Sequence, residues 1–140
     1  MRLFKWTRVH AAFVPEIDAE HRTLYRLGDE LQQAVMAGAG ADRLNTIVQS
    51  LIATSEDHFS HEERLMRSSR YPIFAWHKQQ HDGARRRLKE FAASVARGDG
   101  EAPAELMEYM AHWLKNHVSL TDRMFGAYLR NFERFQSVAS

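Results

Sequence analysis

The sequence predicts an all-α protein, an antiparallel up-down four-helix bundle with an N-terminal arm. Apolar side chains recur at three- and four-residue steps in four long segments, and short stretches rich in helix breakers separate these segments. No stretch alternates apolar and polar residues for long enough to make a sheet. With 140 residues and 44% apolar content, the chain suffices for one core and is too short for two ordinary domains. We therefore expect one domain over residues 1–140.

The elements are predicted in order along the chain. Residues 1–16 are expected to form an ordered arm that folds over the end of the last helix, where an apolar stripe comprises Phe125, Tyr128, Leu129, Phe132 and Phe135. The first helix is expected to follow Asp18, a good N-cap, and Pro72 suits the first turn of the third. The breaker stretches then give four helices, over about residues 18–37, 42–68, 72–97 and 103–134.

Composition excludes several classes of function. Nineteen basic residues stand against eighteen acidic ones with their signs interspersed, which gives no support to nucleic-acid or membrane-surface binding. No apolar run is long enough to span a membrane, and no signal peptide is evident, so we expect a cytoplasmic protein without membrane insertion. Because the chain has no cysteine, any metal must be bound by histidine, aspartate or glutamate.

Histidines are the residues that suggest a metal site. Five of the eight lie on the apolar stripes of the predicted helices: His21, His58, His77, His81 and His117. One hydrogen bond satisfies a single buried neutral histidine, so five separately satisfied core histidines are the alternative interpretation. Packing the four stripes together, however, brings all five side chains to one buried place.

Two carboxylates accompany these histidines. Glu62 follows His58 by four residues on the same stripe, where an uncompensated carboxylate would be very costly. Asp122 follows His117 by five residues, an offset of roughly 140° on an ideal α-helix. This carboxylate needs a local distortion of the helix, or an approach from the side, to reach the same place.

The donor set discriminates between metals. Five imidazoles with two carboxylates exceed the needs of one tetrahedral zinc, and they suit two octahedral first-row ions bridged by the carboxylates, with iron the best fit. The helical zinc-protease motif H-E-x-x-H is absent, because the string HEERL at His61 lacks the second histidine. The paired Glu-x-x-His motif of carboxylate-rich di-iron oxidases is absent as well.

Four ordered motifs make the sequence resemble the hemerythrin family, specifically its single-domain bacteriohemerythrins. These motifs are IDAEHRTLY at Ile17 to Tyr25, HFSHEERLM at His58 to Met66, YPIFAWHKQQHD at Tyr71 to Asp82, and HWLKNHVSLTD at His112 to Asp122. The resemblance extends from Trp6 to about Tyr128, and all seven ligand positions of the family hold the expected residue types.

The resemblance implies two iron ions per chain with a hydroxide or oxide between them. It assigns His77, His81 and His117 to one iron. It assigns His21 and His58 to the other iron, which keeps an open position. Glu62 and Asp122 bridge the two irons in this assignment. It leaves His10, His61 and His112 as surface or structural residues.

The resemblance also implies reversible dioxygen binding for storage, delivery or sensing, without enzymatic chemistry. Five apolar residues occupy the positions of the family's dioxygen pocket: Leu24, Phe59, Trp113, Leu114 and Val118. A di-iron enzyme that reduces dioxygen, peroxide or nitric oxide is the alternative. An oxygen-consuming enzyme is a possible recipient, and we expect a monomer, with a dimer as the second possibility.

Overall fold

The computed structural model describes residues 2–139, which form helices and connecting turns without a β-strand. The first three long helices are α1 (Pro15–Met36), α2 (Ala41–Ser68) and α3 (Phe74–Ala96). The fourth consists of α4 (Ala102–Asn116), a π-helical segment (His117–Asp122) and α5 (Arg123–Ala139), which follow one another without a break. A short 3₁₀ helix, Arg8–His10, lies in the arm that precedes them.

The four long helices pack as a closed ring. Helices α1 and α3 each contact both α2 and α4, and short connections make helices that are adjacent in sequence run antiparallel. Leucines from all four line the core, among them Leu31, Leu51, Leu88 and Leu106. The predicted fold class, an all-α four-helix bundle, is confirmed. Within residues 2–139, no helix has both the length and the apolar character needed to cross a membrane.

The start of α1 differs from the prediction, because the helix begins at Pro15 and Asp18 is not its N-cap. Proline at the first helical position fixes φ in the helical range and needs no N–H partner, so the helix starts three residues earlier. The Asp18 carboxylate instead accepts hydrogen bonds from the backbone N–H groups of Ala12 (2.7 Å) and Phe13 (3.1 Å). Asp18 therefore ties the arm to the bundle.

The end of α2 explains why α3 begins at Phe74 rather than at Pro72. Arg70 adopts a left-handed conformation with φ 56°, and the N–H of Tyr71 bonds back to the carbonyl of Met66 at 2.9 Å. The chain needs the next residues, Pro72 among them, to complete the turn. Helices α1 and α3 end in the same motif with glycine at the left-handed position, and the fourth helix continues to Ala139, beyond the predicted residue 134.

The arm packs along the bundle where helical glycines allow close approach. The Phe4 ring is buried against Gly28 of α1, and Ala12 lies against Gly126 of α5; at both glycines a Cβ would overlap the arm. Phe125, next to Gly126, is buried in the same apolar cluster as Ala12, whereas Phe135, farther along α5, is 78% exposed. The arm therefore covers the beginning of the apolar stripe in α5 and leaves its end uncovered.

Candidate metal centre

The structure brings all seven predicted ligand side chains together in the interior of the bundle. They come from α1 (His21), α2 (His58, Glu62), α3 (His77, His81) and the π-helical segment (His117, Asp122), and none is more than 3% exposed. Each histidine lies on the apolar stripe of its helix, so the packing that buries the stripes also gathers the imidazoles. The cluster is thus a consequence of the amphipathic pattern.

Asp122 reaches this cluster because the helix changes its winding. Residues His117–Asp122 are π-helical, and hydrogen bonding between residues five apart brings such residues onto one face. As a result the Oδ1 atom of Asp122 lies 2.9 Å from Nε2 of His117. This is the local distortion that the five-residue spacing requires.

Glu62 lies between two groups of imidazoles and presents one oxygen to each. Its Oε1 atom is 2.6 Å from Nε2 of His77 and 3.2 Å from Nε2 of His81. Its Oε2 atom is 3.4 Å from Nε2 of His58 on the other side. A carboxylate with its oxygens divided in this way is placed to bridge two cations.

The two carboxylate oxygens of Asp122 are also divided between the two groups of imidazoles. Its Oδ1 atom is 2.9 Å from Nε2 of both His77 and His117, and its Oδ2 atom is 2.8 Å from Nε2 of His21. The potential ligands thus form two overlapping groups that share both carboxylates: Glu62, His77, His81, His117 and Asp122 in one, and His21, His58, Glu62 and Asp122 in the other.

Whether a metal fits this cluster can be tested by asking if hydrogen bonds already satisfy the buried polar atoms, and they do not. Both oxygens of Glu62, both oxygens of Asp122 and Nε2 of His77 are buried without a hydrogen-bond partner. Native proteins leave very few buried polar atoms unsatisfied, and here the unsatisfied atoms face one another. Imidazole nitrogens and carboxylate oxygens are donors that divalent first-row metals accept, so the residues present fit a pair of metal ions.

The electrostatics lead to the same conclusion. Burial raises the pKa values of Glu62 and Asp122, and repulsion from Asp122 adds to this effect at Glu62, but the surrounding histidines outweigh these effects and hold both pKa values below their ordinary range. Burial opposes charge on His58, yet Asp122 and Glu20 raise its pKa to about 10. Two buried anions therefore need positive charge beside them, which metal ions supply in exchange for protons.

A second set of residues, which the sequence reasoning missed, orients three of the imidazoles from behind. The Nδ1 atoms of His58, His81 and His117 lie 2.7, 2.8 and 2.7 Å from side-chain oxygens of Glu20, Glu63 and Gln80, respectively. Such partners fix the Nδ1–H tautomer and leave Nε2 free for a metal. Each of these three contacts joins two different helices and depends on how they pack, so spacing along the sequence gave no signal for them.

Of the five residues predicted to form an apolar pocket, Phe59 and Trp113 contact ligand histidines and the other three are buried in the core. Leu24, Leu114 and Val118 are buried in the main core. The Phe59 ring stacks on the His81 ring with centroids 4.6 Å apart. Trp113 differs from the others because it is only partly buried.

The three histidines that were not predicted as ligands lie outside the cluster. His61 is partly exposed and contacts the Glu20 carboxylate at 2.5 Å. His10 bonds to the Ser119 hydroxyl at 2.8 Å, and His112 pairs with Asn116 on the surface.

The fold and the site define a class of protein, the helical bundles that bind a pair of metal ions between their helices. Residues 12–129 match the model of the hemerythrin HHE cation binding domain. The chain therefore belongs to the hemerythrin family.

Two relatives agree with this assignment, and a solved structure shares the fold. A bacteriohemerythrin of Aquifex aeolicus is 31% identical over 108 residues, which cover 76% of this chain and 82% of that protein. A bacteriohemerythrin of Stenotrophomonas maltophilia is 26% identical over 138 residues, 96% of this chain and 89% of that protein. A solved structure of a hemerythrin mutant shares the fold, with a TM-score of 0.79 at 22% identity over 92% of this chain and 98% of that one.

Membership of the family gives the general function. The protein binds dioxygen at a di-iron centre, and the histidine and carboxylate cluster is suited to the two metal ions. Family proteins are oxygen carriers or storage proteins rather than enzymes.

Proposed function

We propose that the seven clustered residues are the iron ligands and that they divide unequally between the two ions. His77, His81 and His117 would hold one iron, His21 and His58 the other, and Glu62 and Asp122 would bridge them. The observation that carries this proposal is the division of both carboxylates, each with one oxygen toward the first group and one toward the second. The group with one imidazole fewer, His21 and His58, would leave room for a small ligand, and two irons held by these residues would supply reversible dioxygen binding.

The apolar residues beside the ligands have the task of excluding water. Leu24, Leu114 and Val118 are each at most 1% exposed, and their side chains offer no proton or hydrogen bond to a bound ligand. Because water and protons promote irreversible oxidation of an oxygenated centre, a dry pocket prolongs the life of that state. We infer that these residues, with Phe59 and Trp113, form the dioxygen pocket.

In physiological terms, we propose a cytoplasmic oxygen store or carrier that delivers dioxygen to an oxygen-consuming enzyme. The apolar residues of the pocket favour binding over reduction of dioxygen, because Glu63, the further buried acid beside the seven ligands, is already bonded to His81 at 2.8 Å and to Arg85 at 2.9 Å. We propose a monomer, because the arm covers the beginning of the apolar stripe in α5.

The experiment that tests this function is reversible oxygenation. Iron-loaded protein is reduced without oxygen, exposed to air, and then degassed while its visible spectrum is recorded. We expect a ligand-to-iron absorption band that grows in air and disappears on degassing through several cycles. A single irreversible change to an oxidised spectrum, with dioxygen consumed at every cycle, would contradict the proposal and favour an enzyme.

A further inference from the structure

A cavity of about 320 Å³ opens at the surface between α3 and the fourth helix. Its walls include Trp76 from α3, Tyr109 and Trp113 from α4, and Leu120 from the π-helical segment. Trp76 is 43% exposed and Leu120 is 64% exposed, so large apolar faces are available here to a ligand. A concave, largely aromatic surface of this size is typical of small-molecule sites.

The cavity is in direct contact with the metal centre through His117, which forms part of its lining. The Trp113 ring stacks on the His117 ring, with centroids 4.2 Å apart and planes inclined by 13°. Behind His117, the Gln80 side-chain oxygen accepts hydrogen bonds from its Nδ1 at 2.7 Å and from the Thr121 hydroxyl at 3.0 Å. A molecule in the cavity is therefore separated from the centre by one imidazole.

The polar groups of the cavity indicate what kind of molecule it accepts. Its lining contains no carboxylate, lysine or arginine within the described part of the chain, which disfavours a strongly charged ligand. Because the Gln80 oxygen is held by two donors, its amide nitrogen, which bonds to nothing else described, is free to donate to a ligand. Aromatic walls with an amide donor suit a flat heterocycle that carries acceptor atoms.

We propose that this cavity binds the isoalloxazine ring of a reduced flavin, which returns electrons to the oxidised metal centre through His117. The inference rests on the proposed division of the ligands, which places His117 with the three-imidazole iron and leaves dioxygen to the other. Trp76 and Tyr109 would stack on the ring, and Gln80 would donate to one of its nitrogen or carbonyl acceptors.

The electron count of this step balances. A neutral reduced flavin loses two electrons and two protons to become oxidised flavin, and the two electrons convert two Fe(III) ions into two Fe(II) ions. Both protons leave to solvent through the open mouth of the cavity. The step restores the oxygen-binding state of molecules whose irons have been oxidised.

Binding is tested first with iron-loaded protein in its oxidised form and with oxidised riboflavin, so that the result depends neither on oxygenation nor on electron transfer. Riboflavin fluorescence is titrated with the wild-type chain and with Trp76→Ala, Trp76→Phe and Phe135→Ala. Stacking on an indole quenches this fluorescence, so we expect saturable quenching with one site per chain. Trp76→Ala should weaken binding about tenfold, as expected for the loss of one stacking partner, while Trp76→Phe retains most of it. Phe135→Ala removes an exposed aromatic ring far along α5 and should change nothing.

Electron transfer is then tested with oxidised, iron-loaded protein and photoreduced riboflavin in an anaerobic stopped-flow instrument. At riboflavin concentrations well below saturation, the iron of Trp76→Ala should be reduced more slowly than that of the wild type. The rate should fall by about the same factor as the affinity for riboflavin, because electron transfer follows binding. The same variant should oxygenate like the wild type. Normal oxygenation without saturable riboflavin binding, or with a reduction rate insensitive to Trp76→Ala, would overturn this inference alone. Failure of the wild type to oxygenate reversibly would instead overturn the proposed function.

Discussion

The two sides of the metal centre differ in how many imidazoles they contain. On one side, α1 and α2 contribute one histidine each, His21 and His58. On the other, α3 contributes two, one helical turn apart, and the π-helical segment adds a third. With both carboxylates shared, this difference alone makes two bound ions inequivalent. The structure thus arranges two unequal groups of potential ligands from four similar helices.

The residues behind the imidazoles differ between the sides as well. The Glu63 carboxylate behind His81 is also bound by the Arg85 guanidinium at 2.9 Å. On the other side, the Glu20 carboxylate behind His58 is shared with the partly exposed His61. The carboxylate on one side is thus paired with a permanent cation, Arg85, and the carboxylate on the other with a partly exposed imidazole, so the two sides differ beyond their ligand count.

The largest expected effect comes from a residue that both sides share. Glu62→Ala removes a bridge and its negative charge from between two cations, so we expect nearly complete loss of both irons. Metal analysis of purified protein measures this, with His61→Ala as a control that removes a neighbouring nonligand imidazole. The assignment is wrong if Glu62→Ala retains two irons and oxygenates while the control does not.

The next two variants test whether the two sides differ in how many imidazoles hold the metal. His21→Ala leaves a single imidazole on its side, so we expect about one iron per chain, whereas His117→Ala leaves two imidazoles on the other side and should retain more metal. Iron content and thermal stability, measured together, separate loss of a ligand from loss of folding. Equal iron content in two folded variants would show that the sides are equivalent.

A smaller effect is expected in the pocket, where the ligands remain in place. Leu24→Ser and Leu114→Tyr each introduce a hydroxyl, which admits water and stabilises departing oxygen species, so the oxygenated form should oxidise several times faster. The measurement is the decay of its absorption band at constant iron content. Leu106→Ser, about three helical turns from His117, controls for lost stability and should leave the decay unchanged. An unaltered decay in both pocket variants would place the pocket elsewhere.

The smallest effect lies away from both sides, at the left-handed Arg70 that ends α2. Glycine adopts this conformation without the steric cost of a Cβ atom, so Arg70→Gly should raise the free energy of unfolding by about 1 kcal/mol. Urea denaturation of the metal-free protein measures it. Arg86→Gly, inside α3, should instead lower stability by about 1 kcal/mol. A loss of stability in Arg70→Gly would mean that the arginine side chain contributes more than its backbone costs.

The sequence predicted the bundle well because amphipathic periodicity is a local signal that tertiary packing preserves. It located His58 and Glu62 one turn apart for the same reason. Asp18 was misinterpreted because a good N-cap residue also makes a good partner for loop N–H groups, and Pro15 was the stronger start signal. The contacts of Glu20 and Glu63 could not be predicted, since they depend on the rotation of one helix against another.

The most direct test of the account is the metal content of the intact chain, combined with the spectrum of the same sample. Protein produced with iron, or reconstituted with Fe(II) under reducing conditions, should contain two irons per chain and develop the reversible absorption band in air. One zinc per chain, with no uptake of iron under reducing conditions, would contradict the central claim that this cluster is a di-iron centre for dioxygen.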